Sequence, residues 1–142
     1  MAVSVEPERD LRFGALICYE SIFSSLSRHA VVEGANVLIN ITNDGWFGQT
    51  AGPVQHAAMA RMRAAECRVP VIRCANNGIS FMTNRRGDLI DALGLGERGL
   101  IIHDLTPGPA DSTYVRRGLT PLGIFMAVWA LVVIAFAVRG RR

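Results

Sequence analysis

An α/β domain followed by one membrane-spanning helix is the architecture that this 142-residue sequence predicts. Three observations carry the prediction: apolar runs separated by helix-periodic segments, a polar glycine-bearing loop after the second run, and an uncharged stretch of twenty residues from Leu119 to Val138. Half of the residues are hydrophobic, enough for one packed domain.

Residues 12–18 (RFGALIC) form the first strand pattern. Ser21 to Glu33 reads as a helix, with Ile22, Leu26 and Ala30 at helical spacing and Gly34 closing it. Residues 36–41 (NVLINI) give a second buried strand, and strand, helix and strand with a connection of this length make a βαβ unit with parallel strands. The loop from Thr42 to Gly52 therefore leaves the same sheet edge as Cys18. Pro53 opens a helix that runs to about Arg68, since a proline is tolerated in a first helical turn. Further strands are expected at 69–75, 79–83, 89–93 and 100–105, with turns at Asn76-Asn77-Gly78 and at Arg85 to Asp88. Thr106 to Arg117 holds Pro and Gly and reads as a linker. The domain boundaries are then 1–112 for the globular part, 113–118 for the linker proper, 119–138 for the span and 139–142 for a basic tail.

Twenty helical residues at about 1.5 Å each reach roughly 30 Å, the hydrocarbon thickness of a bilayer. A buried core helix usually keeps a polar face, and this stretch has only Thr120 near its start. Arg116 and Arg117 precede the span while Arg139, Arg141 and Arg142 follow it, which predicts a cytoplasmic C-terminus and a globular part outside the cytoplasm. The first ten residues show no signal-peptide pattern, so either the globular part stays inside or upstream spans exist. A net charge of +3 without a basic stripe argues against a nucleic-acid partner. All fifteen basic residues are arginine, and none is lysine.

Cys18 is the one residue placed as a covalent catalyst: a thiol at the C-terminal end of a buried strand, where α/β folds keep their sites. A thiol attacks only as thiolate, and here the N-terminus of the following helix is expected to support it. The Tyr19 amide lies where a strand-to-helix elbow places an oxyanion donor. An ordinary buried cysteine ending a strand fits the spacing equally well. Glu20 reads as a carboxylate beside the thiol, as a helix N-terminal charge, or as both. Of the histidines only His56 approaches the right edge, as a base or as a residue bonded to loop backbone. Trp46 and Phe47, adjacent aromatics on the loop, suggest a surface for an acyl chain; a plug holding the loop onto the domain is the plainer alternative. Cys67 and Cys74 read as buried small hydrophobes rather than a disulfide. No His, Cys, Asp or Glu cluster has metal-ligand spacing, and the loop lacks the Gly-Lys-Ser/Thr ending of a phosphate loop, so no metal or other cofactor is expected.

Leu16-Ile17-Cys18-Tyr19-Glu20, Asn43-Asp44-Gly45-Trp46-Phe47-Gly48, Gln55-His56 with Arg61, Arg63, Glu66 and Arg68, and Asn76-Asn77-Gly78-Ile79-Ser80 occur in that order. Together they resemble the apolipoprotein N-acyltransferase family of the nitrilase (carbon–nitrogen hydrolase) superfamily, over residues 10–142. The resemblance implies part of a nitrilase-like αββα sandwich followed by one C-terminal transmembrane helix, in the bacterial inner membrane with the globular part on the periplasmic face. It implies that Cys18 accepts an acyl chain from a phospholipid as a thioester and passes it to the N-terminal amine of an apolipoprotein. By the same likeness Tyr19 and Glu20 complete the catalytic group, while Asn43, Trp46, Phe47 and His56 line the substrate side.

The family also uses a glutamate base and a lysine, both upstream of the cysteine. A chain without lysine cannot hold the second of these, and a guanidinium does not replace it. The expectation is a nucleophile half, inactive alone, whose partner is the missing upstream half of the same enzyme. Two rivals remain open: a membrane-tethered nitrilase-type amidase, and a non-catalytic membrane-anchored α/β module in which Cys18 is core.

Overall fold

The computed structural model describes residues 10–140. Strands β1 (Phe13–Ile17), β2 (Val37–Asn43), β3 (Val71–Asn76), β4 (Ser80–Thr83) and β5 (Leu89–Leu93) form one sheet in sequence order. The first three are parallel and the last two antiparallel. Helices α1 (Ser24–Val32) and α2 (Gly52–Cys67) make the crossovers of the parallel strands. The expected βαβ unit is present, and the β2–α2 loop leaves the same sheet edge as Cys18.

Alternation along the strands decides which side chains meet the helices. In β1, Gly14 and Leu16 are buried while Phe13, Ala15 and Ile17 are exposed. Gly14 has to be small, because a Cβ there would lie 2.9 Å from both the Ala30 Cβ and Leu38 Cδ2. The helix-side core joins Leu16, Leu38, Val71 and Phe81 to Ala57, Ala60, Ala64 and Val31. Small residues on α2 let that helix lie close to the sheet. Pairing sets Leu16 opposite Asn40, Asn40 opposite Arg73 and Arg73 opposite Phe81, so two polar side chains sit in the middle of an apolar row.

The structure corrects the sequence expectations at five places. Residues Cys18–Ile22 form a 3₁₀ turn, and α1 starts only at Ser24, because Phe23 is extended at φ −86°, ψ 105°. A turn of five residues lacks the aligned dipoles of a long helix, so the expected helix N-terminus does not stand behind the thiol. The inward stripe of α1 is Ser27 and Val31, with Leu26 exposed. No strand forms at 100–105. That segment crosses the other sheet face, where Ile101 packs with Val37, Ile72 and Met82, so its alternation reflects burial without ladder pairing. The linker contains a short helix, α3 (Thr113–Arg117), capped by Ser112 and docked through buried Val115. Cys74 is exposed, because it lies on the sheet face away from the helices, two residues beyond the Ile72 that Ile101 packs against; Cys67 is buried as expected.

Helix α4 (Thr120–Arg139) has a mean hydropathy of 2.5 and none of it is buried against the rest of the chain. It is long and apolar enough to cross a membrane.

Candidate active site

Cys18 begins where β1 ends, and its φ of +50° puts a non-glycine residue in the left-handed region. Such a backbone persists only where the surroundings over-determine it. Two donors converge on its carbonyl: Asn40 Nδ2 at 3.2 Å and Ser21 Oγ at 3.2 Å. Asn40 also donates to the Leu16 carbonyl at 2.9 Å. Its own amide oxygen accepts from Arg73 Nη1.

Arg73 anchors the group. Its Nη2 donates to Asp44 Oδ2 at 2.7 Å and its Nε to the Ile79 carbonyl at 3.1 Å, with the side chains of both Arg73 and Asp44 fully buried. Burial pulls the guanidinium below its ordinary value; the Asp44 carboxylate and, more weakly, the nearby Cys18 thiol push it back up. Asp44 Oδ1 accepts from Thr42 Oγ1 at 3.2 Å and faces His56 Nδ1 at 2.9 Å. Arg73 Nη2 is also 3.2 Å from Nδ1, but two N–H donors cannot bond each other, so the proton on Nδ1 goes to Asp44. On the other side of the ring, His56 Nε2 lies 3.3 Å from Ser21 Oγ. The contacts close a circuit from the Cys18 carbonyl through Asn40, Arg73, Asp44, His56 and Ser21 back to the same carbonyl.

Glycine is required beside this circuit. A Cβ on Gly78 would fall 2.3 Å from Asp44 Oδ2, so the β3–β4 turn can pass only without a side chain.

The predicted site residues gather at this edge in two depths. His56 is buried, with both ring nitrogens engaged inside the protein. Tyr19 and Phe47 lie over it, with ring centroids 5.1 and 5.9 Å from the imidazole. Trp46 projects outward and is 80% exposed, which does not fit a plug. Glu20 turns its carboxylate back to the Ile17 amide at 2.7 Å, the local-capping role its position allowed. Asn43 accepts from the Gly45 amide at 3.0 Å and so shapes the loop. Sequence patterning assigns no role to Ser21, Asn40, Asp44 or Arg73. One signal was visible: an Asn and an Arg interrupt the apolar strands INI and VIRC, where only a paired polar group is tolerated. Among the described residues, no group of three His, Cys, Asp or Glu side chains could hold a metal ion.

Comparison with known proteins adds to this geometry. The carbon-nitrogen hydrolase family model matches residues 3–114. The apolipoprotein N-acyltransferase of Rhizobium etli is 48% identical over 105 residues, covering 72% of this chain and 19% of that protein. That of Vibrio vulnificus is 38% identical over 112 residues, covering 79% and 22%. The chain thus spans about a fifth of the length of the curated relatives it matches. Among solved structures, an amidase from Nesterenkonia sp. superposes with a TM-score of 0.55 at 20% identity, covering 82% of this chain and 44% of that one. A carbon-nitrogen hydrolase from Helicobacter pylori G27 does so with a TM-score of 0.56 at 15% identity, covering 61% and 38%. Both likenesses speak to the fold: an αβ part of a nitrilase-like αββα sandwich, followed by one long apolar helix.

Proposed function

The chain belongs to the carbon-nitrogen hydrolase family, and from that premise we propose that it carries the nucleophile half of an apolipoprotein N-acyltransferase. The observation that carries the reading is Cys18, held in a left-handed elbow at the edge where parallel strands end, in a chain up to 48% identical to named N-acyltransferases among the relatives cited. The Cys18 thiolate attacks the ester carbonyl of a phospholipid, the C–S bond forms, and the C–O bond breaks to release a lysophospholipid that takes a proton. The free α-amine of an apolipoprotein N-terminus then attacks the thioester and returns the thiol. Tyr19 supplies its amide to the oxyanion and Glu20 supports the turn. Exposed Trp46, with Phe47 and Asn43 behind it, forms the acyl-facing surface, and His56 backs that surface from below. Helix α4 holds the site at the bacterial inner membrane, with the globular part periplasmic and the C-terminus cytoplasmic.

The glutamate base and the lysine lie, on this reading, in the part of the enzyme that this sequence does not span. The sheet supports that reading independently. On the face away from α1 and α2, Phe13, Ile17 and Ile41 are each at least half exposed and Cys74 is bare, an apolar surface suited to a second sheet.

The test is acyl transfer from phospholipid to a lipopeptide amine. The 142-residue chain alone is expected to give none. Combined with a Glu- and Lys-bearing nitrilase half it is expected to transfer, and Cys18→Ala to abolish the activity. Transfer by the isolated chain, or release of ammonia from a small amide in place of acyl transfer, would overturn the proposal.

A further inference from the structure

We propose that the buried circuit of Asn40, Arg73, Asp44, His56 and Ser21 is a positioning device that aims the Tyr19 amide at the reacting carbonyl. This rests on Cys18 being the nucleophile. The Cys18 carbonyl and the Tyr19 N–H belong to one planar peptide unit and point in opposite directions. Pinning the oxygen inward with Asn40 Nδ2 and Ser21 Oγ, each at 3.2 Å, therefore fixes the N–H outward.

Each of those two donors is oriented from behind. Arginine has donors only, so Asn40 must show Arg73 its oxygen and turn its NH₂ to the Leu16 and Cys18 carbonyls. Arg73 is itself fixed by three directed acceptors, on Ile79, Asn40 and Asp44. The second oxygen of Asp44 accepts from His56 Nδ1–H, and because Ser21 gives its single hydroxyl proton to the Cys18 carbonyl, Nε2 must carry a proton too and donate to Ser21 Oγ. Ser21, Asn40, Asp44, His56 and Arg73 are all no more than 3% exposed, so they act through the Cys18–Tyr19 peptide and not on substrate.

An oxyanion donor matters for acylation, where the thiolate adds to an ester carbonyl and oxygen becomes charged before the alkoxide leaves. It is irrelevant to alkylation, where the thiolate displaces iodide from iodoacetamide in one step. The two reactions separate aim from mere thiol exposure. In the detergent-solubilised chain, acylation by p-nitrophenyl acetate and alkylation by iodoacetamide are measured at one pH on the Cys18, Cys74 and Cys67 peptides. Exposed Cys74 is the unaimed reference and buried Cys67 reports an intact fold.

The ratio of acylation to alkylation at Cys18 should exceed that at Cys74 by about tenfold or more. Ser21→Ala and His56→Gln should each lower it by about fivefold or more, with Cys67 still protected and Cys18 alkylation within about threefold of wild type. Equal ratios at Cys18 and Cys74 in the wild type overturn the proposal, as does a ratio that neither substitution changes. If one variant exposes Cys67, the other variant and the wild-type comparison decide. A high ratio without any thioester from phospholipid would remove the acyltransferase reading and leave the positioning circuit standing.

Discussion

Replacing Arg73 with methionine should remove a large share of the margin by which this fold is stable. The substitution fills similar volume but leaves the Asp44 carboxylate, fully buried, with only Thr42 and His56. It also strips a donor from the Ile79 carbonyl and another from the Asn40 oxygen. Breaking a buried ion pair from one side costs about 3–5 kcal/mol, because the remaining charge has neither water nor partner. Taken at the lower end of that range, the loss is about 3 kcal/mol. Against a typical total of about 5–15 kcal/mol that is a large share. Urea denaturation in mild detergent, followed by the rate of Cys67 alkylation, measures it. Arg73→Met with Asp44→Leu should recover about 2 kcal/mol relative to the sum of the single changes. A loss below about 1 kcal/mol for Arg73→Met, with no coupling to Asp44, would refute the reasoning.

Gly78→Ala should destabilise by about 2 kcal/mol or more, since its methyl meets Asp44 at 2.3 Å, and the same denaturation curves would show it. Gly48→Ala meets nothing within 4 Å, yet φ +55° with ψ −149° is a backbone nearly reserved for glycine and should cost about 1–3 kcal/mol. Burial, with the Glu66 charge adding, pushes the Cys67 thiol up from 9.0 to about 11. Its folded value lies above its unfolded one, so the stability it contributes is intact below pH 9 and is lost as pH rises to 11; the urea midpoint should fall across that window. Trp46→Ala should leave stability within about 0.5 kcal/mol; in a Trp129→Phe background, where Trp46 is the single tryptophan, brominated phospholipid should quench its fluorescence, and fluorescence left unquenched would exclude Trp46 as a lipid-facing residue.

Most of the framework was legible because periodicity reports burial. The βαβ unit, the loop at the thiol's edge and α2 follow from apolar spacing and a well-placed proline. The strand expected at 100–105 failed for the same reason that it was proposed: alternation records which side chains face a surface, and Ile101 faces the sheet without pairing to it. The helix expected from Ser21 failed at Phe23, where no propensity marks an extended residue. Cys18 and its aromatic neighbours were findable from motif and position. Asn40 and Arg73 were not, because their partnership arises from strand register, which brings residues 33 positions apart face to face. A polar residue inside an apolar strand signals that a partner exists, and only the fold says which.

On the proposed function, a phospholipid acylates Cys18. Mass spectrometry of the Cys18 peptide settles it, after the chain, joined in cis or in trans to a Glu- and Lys-bearing nitrilase half, has been incubated with phospholipid vesicles and no acceptor. An acyl adduct on Cys18 that hydroxylamine removes, and that Cys18→Ser lacks, is the predicted result. An unmodified Cys18 in an assembly that still transfers acyl chains to a lipopeptide would contradict the account.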